Sequence, residues 1–186
     1  MARLAALGGM ALGVGFGMVG TVFANKIGAP FLAGRLGASR GLGVLDDLAG
    51  DHSVVLALLR ELELMSTAKG GARAKLFVKV KAALTAHALA EESVVYPLLR
   101  DAAKEEQLTR ELFDEHARMK IIISEIERSG YDDPNFTASA SRLRALVDEH
   151  ARKEEERAFV ALRQALGPDL AATLGSGVMR EKVSFL

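Results

Sequence analysis

Neither cysteine nor tryptophan occurs in the 186 residues. The first absence removes disulfides, thiolate catalysis and zinc fingers, and leaves the redox compartment unmarked. With the second, and with aromatics at only 5%, the chain offers no stacking platform for bases or sugars. No excess of either charge exists: 24 Lys and Arg balance 24 Asp and Glu, so nothing electrostatic points to nucleic acid as a partner. Neither a Ser–His–Asp set nor a phosphate-binding glycine loop can be found. Glycine is plentiful but uneven, with 12 of the 18 in the first 50 residues. The rest of the chain is rich in the strong helix formers Ala, Leu, Glu, Lys and Arg. The composition therefore divides the chain near Leu45 into a glycine-rich apolar leader (1–44), a helical domain (45–167) and a C-terminal tail (168–186).

In the leader, Leu4 to Ala24 is a run of 21 residues without formal charge between Arg3 and Lys26. That length spans roughly 30 Å of hydrocarbon at about 1.5 Å per residue. The expectation is an inner-membrane anchor over 4–24, with Gly9, Gly13 and Gly17 forming a smooth helix face for self-association. Lys26, Arg35 and Arg40 after the segment, against Arg3 before it, place the C-terminal domain in the cytoplasm. Val22-Phe23-Ala24 also suits signal cleavage, which makes a periplasmic domain the alternative. A third reading is an apolar tail folded against the bundle, since six glycines in 21 residues weaken any helix.

Beyond Asp46 and Asp47, apolar residues recur at spacings of three and four. Leu45, Leu48, His52, Val55, Leu59 and Leu62 form one seam, expected to end at Gly70-Gly71. Leu76, Val80, Ala83, His87, Glu91, Val94 and Leu98 form a second, with a kink at Pro97. Leu112, His116, Met119, Ile123 and Ile126 form a third, ending at Gly130. Leu143, Val147, His150, Glu154, Ala161 and Ala165 form a fourth, ending at Gly167-Pro168. Four helices with short links predict an all-α, up-down-up-down four-helix bundle.

The only four histidines, His52, His87, His116 and His150, each interrupt one of these seams. Two are followed one turn later by a carboxylate, giving His87-x-x-x-Glu91 and His150-x-x-x-Glu154. Their depths agree. About a turn near Lys69, His52 lies 17 residues before and His87 lies 18 after; about Ala103 the arms are 16 and 13; about Asp132 they are 16 and 18. At about 1.5 Å per residue all six groups fall within one helical turn of the same layer. A lone core histidine or a His–Glu surface pair is ordinary. Burying two carboxylates with four imidazoles costs several kcal/mol per ionised group unless cationic charge sits among them. A metal supplies that charge. Six ligands exceed the needs of four-coordinate zinc, imidazole argues against magnesium and calcium, and the mixed set suits iron, with manganese or zinc less suited. Carboxylate-rich ferritin-like sites read Glu-x-x-His, the reverse of this order.

The pattern of His52, His87/Glu91, His116 and His150/Glu154 resembles the hemerythrin family in its bacterial HHE cation-binding form. The segments HALAEESVVYPLL and DEHARKEEERAFVAL are similar to that family's second and fourth helices, and the resemblance covers about Asp46 to Leu166. It implies two non-haem irons per chain, with the four His terminal and the two Glu bridging. It also implies a small ligand (dioxygen, nitric oxide or peroxide) that is bound or sensed, or iron buffering. Consumption of peroxide or nitric oxide is the enzymatic alternative, and a metal-free interaction protein is a third reading. Oxygen-carrying hemerythrins have a further His where this chain has Lys120, which leaves one iron more open. Glu92 and Glu155, each one residue past Glu91 and Glu154, leave the carboxylate register open by one. Tyr96 either approaches the site as a hydrogen-bond donor or redox-active phenol, or fills the bundle end beside Pro97. Glu92, Tyr96 and Lys120 are the candidate proton carriers.

Overall fold

Helix formers dominate from residue 44 onward, and the computed structural model, which describes residues 41–185, contains helices and no strand among those residues. After a single 3-10 turn at Gly41–Gly43, α1 spans Val44–Leu64 and α2 spans Gly70–Ala90. The chain then widens into one π-turn at Glu91–Val95 and continues as α3, Tyr96–Asp101. Helix α4 spans Glu106–Ser129 and α5 spans Phe136–Lys153; a second π-turn at Glu154–Ala158 leads into α6, Phe159–Ala165. Last comes α7, Pro168–Phe185.

The glycine pair does not end the first helix, as its sequence suggests, but starts the second. Gly70 N–H donates to Asp132 Oδ1 at 2.7 Å, and a Cβ on Gly70 would lie 2.5 Å from that carboxylate. Gly70 thus lets a side chain from the α4–α5 connection sit on an unsatisfied helix N-terminus. Arg73, itself buried, ties the same end together by donating to the carbonyls of Met65, Ser66 and Tyr131.

The seams expected on α1 and α4 are buried throughout. On the other two long helices burial follows the expected positions as far as Glu91 and Glu154, then slips by one residue. Val95 and Leu99 are core residues where the sequence predicts Val94 and Leu98, and Leu162 and Leu166 are core residues where it predicts Ala161 and Ala165. Each slip begins at a π-turn, because an i→i+5 turn takes up one extra residue and rotates everything after it.

The segment expected as a tail is helical over Pro168–Phe185. Gly167-Pro168 ends α6, and Pro168 then opens α7, where its missing N–H costs nothing. Helix α7 packs on α2, on the first π-turn and on the Gly41–Gly43 turn. A Cβ on Gly175 would lie 2.7 Å from Gly41 N, so the close approach of the two segments requires glycine there. Leu174 and Val178 are fully buried.

The apolar core falls into two halves. One gathers Val55, Leu59, Phe77, Val80, Ile123, Leu143 and neighbours; the other gathers Leu45, Leu48, Tyr96, Leu99, Leu112, Leu162, Leu174 and Val178. Between them lies the layer that carries the histidines.

The expected inner-membrane location is corrected: no helix among the described residues is long and apolar enough to cross a membrane. The charge-free segment 4–24, with Gly9, Gly13, Gly17 and the Val22–Ala24 cleavage position, lies outside the described residues.

Candidate metal centre

All six sequence-predicted residues meet in this layer, and all six are buried. His52 from α1 and His87 from α2 face Glu91 and Glu154: His87 Nε2 lies 3.0 Å from Glu91 Oε1, and His52 Nε2 lies 3.1 Å from Glu154 Oε2. His116 from α4 and His150 from α5 complete the layer. His116 Nε2 lies 3.5 Å from Glu91 Oε2, His150 Nε2 lies 3.4 Å from Glu154 Oε2, and the two imidazole nitrogens are 3.1 Å apart. Ligand atoms of His52, His87, Glu91 and Glu154 all lie within 4.8 Å of one another, as do those of Glu91, His116 and His150. Glu91 belongs to both groups.

The π-turns place the two members of each Glu-Glu pair differently. Glu91 and Glu154 open these turns and are completely buried, so they point inward. Glu92 and Glu155 turn outward to the far side of the imidazoles. Glu155 Oε1 lies 2.9 Å from His52 Nδ1, and Glu92 Oε1 lies 2.9 Å from His116 Nδ1. The two remaining histidines have the same kind of partner: Glu115 Oε2 is 2.9 Å from His150 Nδ1, and Asp51 Oδ2 is 3.5 Å from His87 Nδ1.

A closed ring results. Helix α1 gives Asp51 to the histidine of α2, the π-turn after α2 gives Glu92 to that of α4, α4 gives Glu115 to that of α5, and the π-turn after α5 gives Glu155 to that of α1. For His52, His116 and His150 a carboxylate bonded to Nδ1 favours the tautomer that would present Nε2 to an ion, whereas His87 Nδ1, 3.5 Å from Asp51, has no hydrogen-bond partner. Asp51 and Glu115 escaped the sequence reading. The available signal was an acid immediately before His52 and His116, but each serves the histidine of the next helix, which local sequence does not reveal.

The electrostatics are those of a site that wants positive charge. Burial alone would lower the pKa of His87 and His150. The charges of Glu91 and Asp51 push His87 up to about 9, and those of Glu154 and Glu115 push His150 up to about 10. Burial would raise Glu154, yet His150 and His52 hold its carboxyl well below the usual range. Burial and the neighbouring Glu154 keep Tyr96 a neutral phenol, well above the usual tyrosine value. Its hydroxyl donates to Glu154 Oε1 at 2.8 Å and lies 3.2 Å from His116 Nε2. Tyr96 thus reaches the site and is also a core residue.

Lys120 is neither at the centre nor loose on the flank: its Nζ bonds Glu92 Oε1 at 2.7 Å. It borders a cavity of about 360 Å³ that opens beside the histidines, with walls that include Val55, Leu84, Ala88, Met119 and Ile123.

Buried imidazole and carboxylate groups converging from four helices define a cation-binding helical protein. The Hemerythrin HHE cation binding domain family matches residues 43–162, and the chain belongs to that family. It is 30% identical over 147 residues to a protein named DNA nickase from Nostoc sp. strain PCC 7120, covering 79% of this chain and 40% of that protein. The chain thus spans about two fifths of the length of that relative. No solved structure matches it.

Proposed function

We propose that the layer holds two non-haem iron ions and presents them to a small ligand such as dioxygen, nitric oxide or peroxide, in an up-down-up-down bundle. One observation carries the metal reading. His52 Nε2, His87 Nε2, both oxygens of Glu91 and Glu154 Oε2 are buried without a hydrogen-bond partner, although imidazole and carboxylate atoms stand only 3.0–3.1 Å apart. Unsatisfied buried acceptors at that density are rare in native cores. Lone pairs aimed at a common point, rather than at one another, are what ligation requires. In this reading His52, His87, Glu91 and Glu154 would hold one ion, and His116 and His150 with Glu91 the other. Bound there, iron supplies Lewis acidity and single-electron chemistry that these side chains lack.

The chain's own residues do the rest. The outer carboxylates hold His52, His116 and His150 by Nδ1, Tyr96 holds Glu154 and keeps a proton beside His116, and the mostly apolar cavity suits a small neutral ligand. The nicking activity in the relative's name stays with that protein, of which this chain covers 40%. A second reading, consumption of peroxide, draws on Tyr96, whose proton is placed where a ligand would need one.

Iron-reconstituted protein should contain about two irons per chain, with ferric charge-transfer absorption in the near ultraviolet. Trace iron only, under conditions where the helices are intact, overturns the reading. Turnover of hydrogen peroxide separates consumption from binding.

A further inference from the structure

Three of the four outer carboxylates hold a lysine as well as an imidazole. Glu92 binds Lys120, Glu115 binds Lys153 and Asp51 binds Lys182. The fourth, Glu155, is 44% exposed and open to solvent, whereas Asp51 and Glu115 are only 13% and 7% exposed. A carboxylate buried that far needs a cation to stay ionised and in place. For His116 and His150 the lysine comes from the same helix, one turn beyond the histidine: Lys120 and Lys153. For His87 this local solution is closed, because the positions one turn on are the fully buried Ala90 and Glu91. The cation comes instead from α7.

We propose that Lys182 is a positioning residue of the metal centre: it holds Asp51 beside His87 Nδ1 and so sets how firmly His87 Nε2 is presented to the ion of the His52/His87 group. Helix α7, which lies beyond the family match at 43–162, is thereby part of the site. The Asp51–His87 separation is 3.5 Å against 2.9 Å for the other three pairs and leaves His87 Nδ1 without a hydrogen bond, so His87 is the imidazole whose orientation depends most on where its carboxylate is placed. Lys182 is itself only 12% exposed and reaches Asp51 from one helix turn beyond Val178, the residue that anchors α7 in the core. This inference rests on the two-ion reading above.

The test loads full-length protein with Co²⁺, whose visible bands report coordination, and follows release of each ion to excess EDTA. Lys182→Met should speed release of one of the two ions about tenfold, the scale of outer-partner effects on metal affinity, and leave the other unchanged. The accelerated ion should be the one missing from His87→Ala. Lys182→Arg should restore slow release, and Lys153→Met should accelerate the opposite ion. Val178→Ala, which loosens α7 without touching Asp51, serves as the packing control. Equal acceleration of both ions, acceleration by Val178→Ala matching that of Lys182→Met, or no change in Lys182→Met overturns the proposal while two bound Co²⁺ in the parent leave the metal reading standing. A parent that binds no Co²⁺ overturns both.

Discussion

Tyr96 supplies the only hydroxyl hydrogen-bonded to Glu154 among the described residues, donating at 2.8 Å from inside the half of the core that α7 completes. Tyr96→Phe keeps the ring packing against Phe113 and removes only that donor. The expected cost is about 1–3 kcal/mol, that of leaving a buried acceptor unmatched, with iron content retained and the ferric spectrum shifted. Equilibrium denaturation and absorption spectra check this; an unchanged spectrum would make Tyr96 filler alone. The histidines themselves act in pairs. His87→Ala should empty the His52/His87 group and His150→Ala the other, each leaving about one ion per chain and costing about 3–5 kcal/mol in the loaded protein through an uncompensated buried carboxylate. Metal analysis of the two variants decides it, since full occupancy in either would remove that histidine from the ligand set.

At the scale of elements, the two π-turns do what a regular helix cannot. In an α-helix neighbouring residues point about 100° apart and only one of a Glu-Glu pair serves a site; the widened turn lets Glu91 face the centre while Glu92 reaches around His116 to its Nδ1. Ser93 is the exposed residue of the first π-turn. Its deletion should restore a regular helix that keeps Val95 and Leu99 in the core, so circular dichroism stays helical, while iron affinity falls by about tenfold or more as Glu91 and Glu92 lose their division of labour. Unaltered affinity would mean the π-turn is incidental. The same geometry marks the limit of what the sequence makes legible. The spacing of three and four located every seam residue up to Glu91 and Glu154 and brought six side chains to one depth. It then failed by one position, because periodicity presumes a constant turn and nothing in the letters between Glu91 and Val95 announces a wider one. The outer carboxylates were hidden for a different reason: Asp51 and Glu115 act across helix interfaces, and adjacency in sequence pointed them at the wrong histidine. Lys182 was hidden by both, since it lies on a helix that reads as a tail.

The molecule as a whole is two apolar half-cores held apart by a polar layer, with α7 closing one of them. Leu174→Ala removes a fully buried side chain from the half that α7 completes and should cost about 2–5 kcal/mol, with a lower melting temperature; a change below about 1 kcal/mol would show α7 to be a peripheral attachment. Under the proposed metal reading, the layer should make stability depend on metal. Without an ion, the neighbouring carboxylates push His87 up to about 9 and His150 up to about 10, which favours positive charge in the layer; a bound ion would tie together helices that meet at this depth. An ion that binds only the folded chain stabilises it by about 2.7 kcal/mol at a hundredfold excess over Kd, and for a domain of this size each kcal/mol raises the melting temperature by roughly 2–4 °C. Calorimetry at rising free Fe²⁺ under anaerobic conditions should therefore show a melting temperature that climbs with the logarithm of metal concentration and falls back when a chelator is added. A melting temperature indifferent to metal would mean that the layer is balanced by its protons alone and that the ring of carboxylates serves the fold rather than an ion.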